Sequence, residues 1–296
     1  MATSRRVDPI SYFQAAVLGL LQGVSELFPV SSLGHSVVLP RLLGWDIHQN
    51  DGYFVTFLVA THFATAIVLF FFFLEDWKRV LRGMVRSLQE RQISENDPYA
   101  KLGWLLFVGT IPVGLLGLAL EHSLRDVFAS AQSAAFFLML NGVMLYGAER
   151  LRRRAPEASD DADDPDSAIA ARVGWRGALG IGTAQAIALI PGFSRSGASM
   201  GGGLLAGLSN EQAARFSFLL ATPIIGAAAL LKLPDLFGSK GDGVRGPALV
   251  GAICSAVTAY LAVRFLVKYF ETNRLTPFAI YCGAAGAILS IVFLVT

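Results

Sequence analysis

The chain has 296 residues, 54% of them hydrophobic and 16% charged, with a net charge of +2 and a mean hydropathy of +0.54. A soluble domain carries about 45–50% apolar and about 25% charged residues, so this composition excludes a disordered chain and argues against a soluble enzyme. The near balance of 24 basic and 22 acidic residues gives no broad cationic face for nucleic acid, and Cys254 and Cys282 match neither a zinc spacing nor a disulfide framework.

Arg5 and Arg6 precede an apolar stretch, but Gln22 and Glu26 interrupt it and no small-residue cleavage pattern follows, so no cleaved signal peptide is expected. The segment 10–43 is rich in Gly and Ser and has Pro29 near its middle; 177–208 repeats that character around Pro191. Proline and glycine break helices, and lipid tolerates no unpaired backbone, so each segment reads as a re-entrant hairpin or a broken helix buried among others. The plainer alternative is a kinked span. Six further runs, 53–74, 102–120, 130–148, 213–231, 247–267 and 277–295, approach the roughly 20 residues that a spanning helix needs. Apart from Arg264, which is counted with the loop that follows it, the only charge among them is Arg215, near one end and read as snorkelling. The expected fold is all-α and polytopic, with six transmembrane helices and two re-entrant hairpins.

Fifteen Lys and Arg fall in the loops on one side, including Arg79, Arg82, Arg150, Arg152, Arg153, Arg154 and Arg274, against seven on the other. The positive-inside rule places the first set in the cytoplasm and both chain ends outside. The acidic run 158–167 reads as a solvated linker without chemistry. It separates two similar halves, 1–150 and 173–296, with 151–172 between them. Gly19-Leu-Leu-Gln22 precedes Pro29 as Gly182-Thr-Ala-Gln185 precedes Pro191, and three spans follow each. Three intervening spans make this an inverted-topology repeat, a plan that places a polar site between paired broken helices.

The polar residues inside the interrupted segments carry the chemistry. Gln22 and Glu26 share a helical face that offers an amide oxygen and a carboxylate to a divalent cation such as Mg²⁺ or Ca²⁺. Ser31, Ser32 and His35 follow Pro29, where free backbone N–H groups suit an anion and His35 is near enough in sequence to exchange a proton with Ser32. In the second segment Arg195 is the lone cation, among Ser194, Ser196 and Ser199, and its planar fork suits phosphate. The bland alternatives are a buried Glu26–His35 contact and a structural Arg195–Glu26 ion pair. His62 reads as a packed, hydrogen-bonded histidine, and Glu121 and His122 as interfacial.

At Gln22-Gly-Val-Ser-Glu26-Leu-Phe-Pro-Val-Ser-Ser32-Leu-Gly-His35 and Pro191-Gly-Phe-Ser-Arg-Ser-Gly-Ala-Ser199 the sequence resembles the undecaprenyl-diphosphate phosphatases of the bacitracin-resistance type. Gly109-Thr-Ile-Pro-Val-Gly114 and Ala213-Ala-Arg-Phe-Ser-Phe also fit. The resemblance implies a multi-pass cell-membrane enzyme that removes the terminal phosphate of a polyprenyl diphosphate, recycling a lipid carrier for cell-wall synthesis. By position it implies Gln22 and Glu26 at a metal, Ser32 as nucleophile, His35 moving a proton, and Ser31, Ser194, Arg195, Ser196 and Ser199 on the diphosphate, with Glu26 and Arg195 among the catalytic groups. Gln22 stands where many members have Glu, and Ser199 where Thr is usual. A homodimer is admitted as an assembly. The rivals are a lipid flippase built on the same repeat, a structural scaffold, and the type 2 phosphatidic-acid phosphatases. The last need a histidine downstream of their Ser-Arg, and none follows Arg195.

Overall fold

The computed structural model describes residues 9–47, 51–94, 96–128, 130–154, 164–238 and 241–295, with the side chains of 121–128 excepted. Among the described residues all regular structure is helical: α1 (Tyr12–Leu27), α2 (Ser32–Leu42), α3 (Gly52–Phe72), α4 (Leu74–Glu90), α5 (Pro98–Phe128), α6 (Ala131–Arg152), α7 (Pro165–Arg172), α8 (Trp175–Gln185), a 3-10 turn (Ala186–Leu189), α9 (Arg195–Leu205), α10 (Asn210–Phe237), α11 (Arg245–Thr272) and α12 (Thr276–Val295). Six are long and apolar enough to cross a bilayer: α3, the Pro98–Leu120 part of α5, α6, α10, α11 and α12. They match the six expected runs, most extended by a turn or so where polar residues continue the helix.

The interrupted segments are each two short helices. α1 has 16 residues and α2, α8 and α9 have 11 each. At 1.5 Å per residue these are about 24 Å and 17 Å long, short of a hydrocarbon core of about 30 Å. The breaks have local causes. α1 starts in a capping box between Ser11 and Gln14 and ends where Phe28 turns extended before Pro29. Ser31 then caps α2 through a 3.1 Å bond from the Gly34 amide. In the second half the 3-10 turn gives way to Pro191 and Gly192, whose φ of +107° only glycine adopts cheaply. Ser194 caps α9 through the Gly197 amide at 3.0 Å.

Small residues set the helix spacing. Gly19 of α1 lies against Gly251 of α11, and Gly182 of α8 against Gly109 of α5, each so close that a Cβ would strike backbone. This is the close backbone approach by which helices associate in lipid. α6 and α12 form the most extensive helix pair.

Two elements differ from the sequence reading. The arginine-rich loop after α3 is the amphipathic helix α4, with Trp77 and Val80 buried and Arg79 and Arg82 outward. The acidic stretch is also not wholly solvated. Its residues 158–163 lie outside the described residues, but Asp164 caps α7 and Asp166 is 1% exposed. Asp166 receives Arg215 at 2.5 Å and 3.1 Å, while Asp76 of α4 lies 2.8 Å from the same guanidinium, which also covers the Phe73 ring. Arg215 therefore does not snorkel; two carboxylates and a ring hold it inside. Arg5 and Arg6 and the side chains of Glu121 and His122 fall outside the described residues.

Candidate active site

The two breaks meet at one amide. Asn141, in the middle of α6 and fully buried, donates through Nδ2 to the Pro29 carbonyl at 3.0 Å and accepts the Ser194 N–H on Oδ1 at 3.1 Å. A second tie runs from the Ser196 hydroxyl to the Phe28 carbonyl at 3.0 Å, and Ser194 and Ser196 share a hydrogen bond of 3.0 Å. The N-termini of α2 and α9 are thereby held side by side, with first-turn amides that no helical carbonyl satisfies.

Glu26, 5% exposed at the end of α1, is the centre of the cluster. Arg195 donates to its Oε1 from Nε and Nη2, both at 3.3 Å. Oε2 takes the Ser32 hydroxyl at 2.6 Å, the Gln22 amide at 3.0 Å and His62 Nε2 at 3.2 Å. His62 Nδ1 lies 2.7 Å from the Leu58 carbonyl, which only accepts, so Nδ1 carries hydrogen. One further proton lies between His62 Nε2 and Glu26, shared by the pair. Arg195 Nη1 is buried and has no hydrogen-bond partner among the described residues, and the same is true of Gln22 Oε1 and both amide atoms of Gln185.

The expected residues therefore converge, with one rearrangement. Gln22, Glu26, Ser32 and Arg195 form a single hydrogen-bonded group, and Ser31, Ser194 and Ser196 frame it. The structure gives no Ser32–His35 contact. His35 Nδ1–H donates to the Ser31 carbonyl at 2.7 Å, and Nε2 pairs with the Tyr281 hydroxyl at 2.8 Å. Both nitrogens are engaged, so His35 positions Ser31, whose φ of +70° is uncommon for a residue with a Cβ. Ser199 reaches the Ser217 hydroxyl at 2.6 Å and the Arg195 carbonyl at 3.0 Å; it supports α9 from behind.

Sequence reasoning missed His62 and Asn141 as members of the site. The signal for Asn141 is a carboxamide in the middle of an apolar span. For His62 it is an ionisable group in a membrane segment, a functional sign by default.

The donor set does not fit a resident divalent cation. Such an ion takes six or more oxygens, from waters, carbonyls and at least one carboxylate with lone pairs to spare. Here a single carboxylate already receives a guanidinium, an amide, a hydroxyl and an imidazole. Among the described residues no group of three His, Cys, Asp or Glu side chains converges.

The family model for the bacitracin resistance protein BacA matches residues 15–288. The chain belongs to the BacA family. Among BacA-like relatives, an undecaprenyl-diphosphatase of Mycolicibacterium paratuberculosis is 50% identical over 293 residues, covering 94% of this chain and 95% of its own. Undecaprenyl-diphosphatase 2 of Frankia alni is 44% identical over 96% of this chain and 98% of its own. Undecaprenyl-diphosphatase 2 of Burkholderia thailandensis is 44% identical over 91% and 92%. Together with six membrane-capable helices, BacA membership makes this a multi-pass membrane protein.

Proposed function

We propose that the chain hydrolyses undecaprenyl diphosphate, or a similar polyprenyl diphosphate, to the monophosphate and phosphate. The observation that carries this reading is the guanidinium of Arg195. Two of its nitrogens are fixed on Glu26, the carboxylate that also takes the Ser32 hydroxyl, while Nη1 is buried without a partner among the described residues. A fixed guanidinium with a free N–H is built for a phosphate oxygen.

In the reaction, Arg195 Nη1 and the first amides of α2 and α9 take the phosphate oxygens. In a water-poor site such fixed donors stabilise the charge that phosphoryl transfer develops. The Ser32 oxygen attacks the terminal phosphorus and its proton passes to Glu26, to which it is already bonded. The proton already held between His62 and Glu26 keeps the imidazole charged beside it. Polyprenyl monophosphate leaves with the proton that Glu26 received. Water then attacks the phosphoserine and gives its proton to Glu26, which returns it to the Ser32 oxygen as phosphate departs. Gln22 orients Glu26, and His35 holds the Ser31 carbonyl.

The short helices are proposed to be re-entrant, with the cleft open to the outer face. The matching pairs α1 with α11 and α8 with α5 support the inverted repeat. The names of the relatives favour hydrolysis over the flippase alternative. The decisive assay is phosphate release by purified protein from C55 and C15 diphosphates, with mass spectrometry of the acid-quenched enzyme. A phosphate on Ser32 supports the covalent route, and full turnover in Ser32→Ala overturns it. Light scattering in detergent tests the homodimer.

A further inference from the structure

The arginines at the end of α6 have no part in the reaction. Tyr146, Glu149, Arg150, Arg153 and Arg154 lie on one helical face and line a cavity of about 220 Å³ where that span leaves the membrane. Glu149, 2% exposed, is already satisfied: the Leu275 amide donates to Oε2 at 3.1 Å, Arg153 Nε to Oε1 at 3.4 Å, and Arg274 lies 4.0 Å away. Arg153 also donates to the Thr276 hydroxyl at 3.0 Å. Arg150 makes a single long bond, 3.5 Å, to the Tyr146 hydroxyl. The Arg154 side chain has no hydrogen-bond or ion-pair partner among the described residues; its backbone N–H donates to the Leu151 carbonyl at 3.1 Å. Three guanidiniums thus line the cavity with one carboxylate, and Arg274 lies 4.0 Å from that carboxylate without lining the cavity. The helix C-terminus adds about half a negative charge, which leaves a surplus of about one and a half positive charges among the described residues that line it.

Neither capping nor snorkelling calls for so large a surplus around a cavity, whereas an anion does. The same end of α6 is flanked by exposed Val143, Tyr146 and Leu151, an apolar and aromatic strip of the kind that lies at a lipid interface. Guanidiniums match phosphate oxygens in pairs, and basic pockets beside transmembrane helices bind anionic headgroups. We propose that this cavity binds the phosphate of an anionic phospholipid, with the acyl chains lying along the exposed face of α6. The site is separate from the reaction centre and holds whichever face of the membrane the arginines occupy.

The test is native mass spectrometry of detergent-purified protein with phosphatidylglycerol, phosphatidylcholine or inorganic phosphate. Each arginine near a headgroup contributes about 1 kcal/mol, or about fivefold. The double variant Arg150→Gln, Arg154→Gln is therefore expected to weaken phosphatidylglycerol binding about 25-fold, with phosphatidylcholine unchanged and phosphatase activity kept. Arg82→Gln with Arg91→Gln, on the arginine-rich α4 segment, is expected to stay within twofold of the parent. Equal weakening by both double variants, or none by the first, overturns the proposal. So does displacement of the lipid by inorganic phosphate at equal concentration, which would make the ligand a free ion.

Discussion

Glu26 holds Arg195, Gln22, Ser32 and His62 on two oxygens, so the substitutions that matter first are those of its partners. Arg195→Ala is expected to lose at least tenfold in kcat/KM, since a charged hydrogen bond contributes about 1.5–3 kcal/mol. Arg195→Lys should recover little, because an ammonium cannot hold Glu26 and a phosphate together. His62→Gln is expected to lower kcat about a hundredfold, the low end for removing a group from acid–base catalysis, and to leave KM nearly unchanged. An unaltered pH–rate profile in that variant would remove His62 from the proton path. Ser31 tests strain. If φ of +70° is imposed by the break, Ser31→Gly, which loses the cap but relieves the conformation, should be the more stable of Ser31→Gly and Ser31→Ala in thermal unfolding. The Gln22–Glu26 pair follows from the local sequence, and the Arg195–Glu26 pair was one of the alternatives it offered. Ser32 is six residues from Glu26, across a break whose geometry the sequence does not give. His62 comes from another helix, and which way that helix faces is set by packing. His35 lies against Ser31 and Tyr281 and not Ser32, because three residues of separation says nothing about where a ring points when a carbonyl and a tyrosine compete for it.

At the scale of elements, Pro29 and Pro191 announced both breaks, and the six spans were readable because lipid demands long apolar helices with few exceptions. The short elements were less legible. α4 is polar on one face, and its charges drew attention as loop charges, while α7 exists because Asp164 caps it and Asp166 is drawn in by Arg215. The junction between breaks depends on Asn141. Asn141→Leu keeps the volume but deletes a donor and an acceptor, leaving the Ser194 amide buried and unpaired and the Pro29 carbonyl with only the Cys282 thiol at 3.7 Å. The expected loss is about 2–6 kcal/mol at about 1–3 for each of the two groups, read as a fall in melting temperature. Activity should fall with it.

For the whole molecule, the Arg215 cluster fastens the segment joining the two halves to α4 and α10. Asp166→Asn is expected to destabilise markedly, because it leaves a half-buried guanidinium on Asp76 alone. Asp76 behaves differently. Burial, with the neighbouring Asp166 carboxylate, pushes its carboxyl above the ordinary 3.8, and the attraction of Arg215 does not fully offset this. The folded state then takes up this proton before the unfolded state does. The contribution of Asp76 to stability therefore rises as pH falls through the raised value toward 3.8, and is absent above it. Asp76→Asn should flatten that part of the stability curve, while Asp166→Asn should lower the curve at neutral pH.

Because one carboxamide closes the gap between the breaks, the two helix starts move as a single plate. A lipid diphosphate cannot be admitted by parting them without first breaking the Asn141 bonds. Admission must come from displacement of the surrounding long helices, so the rhythm of turnover is set by the walls of the cleft while its floor stays still.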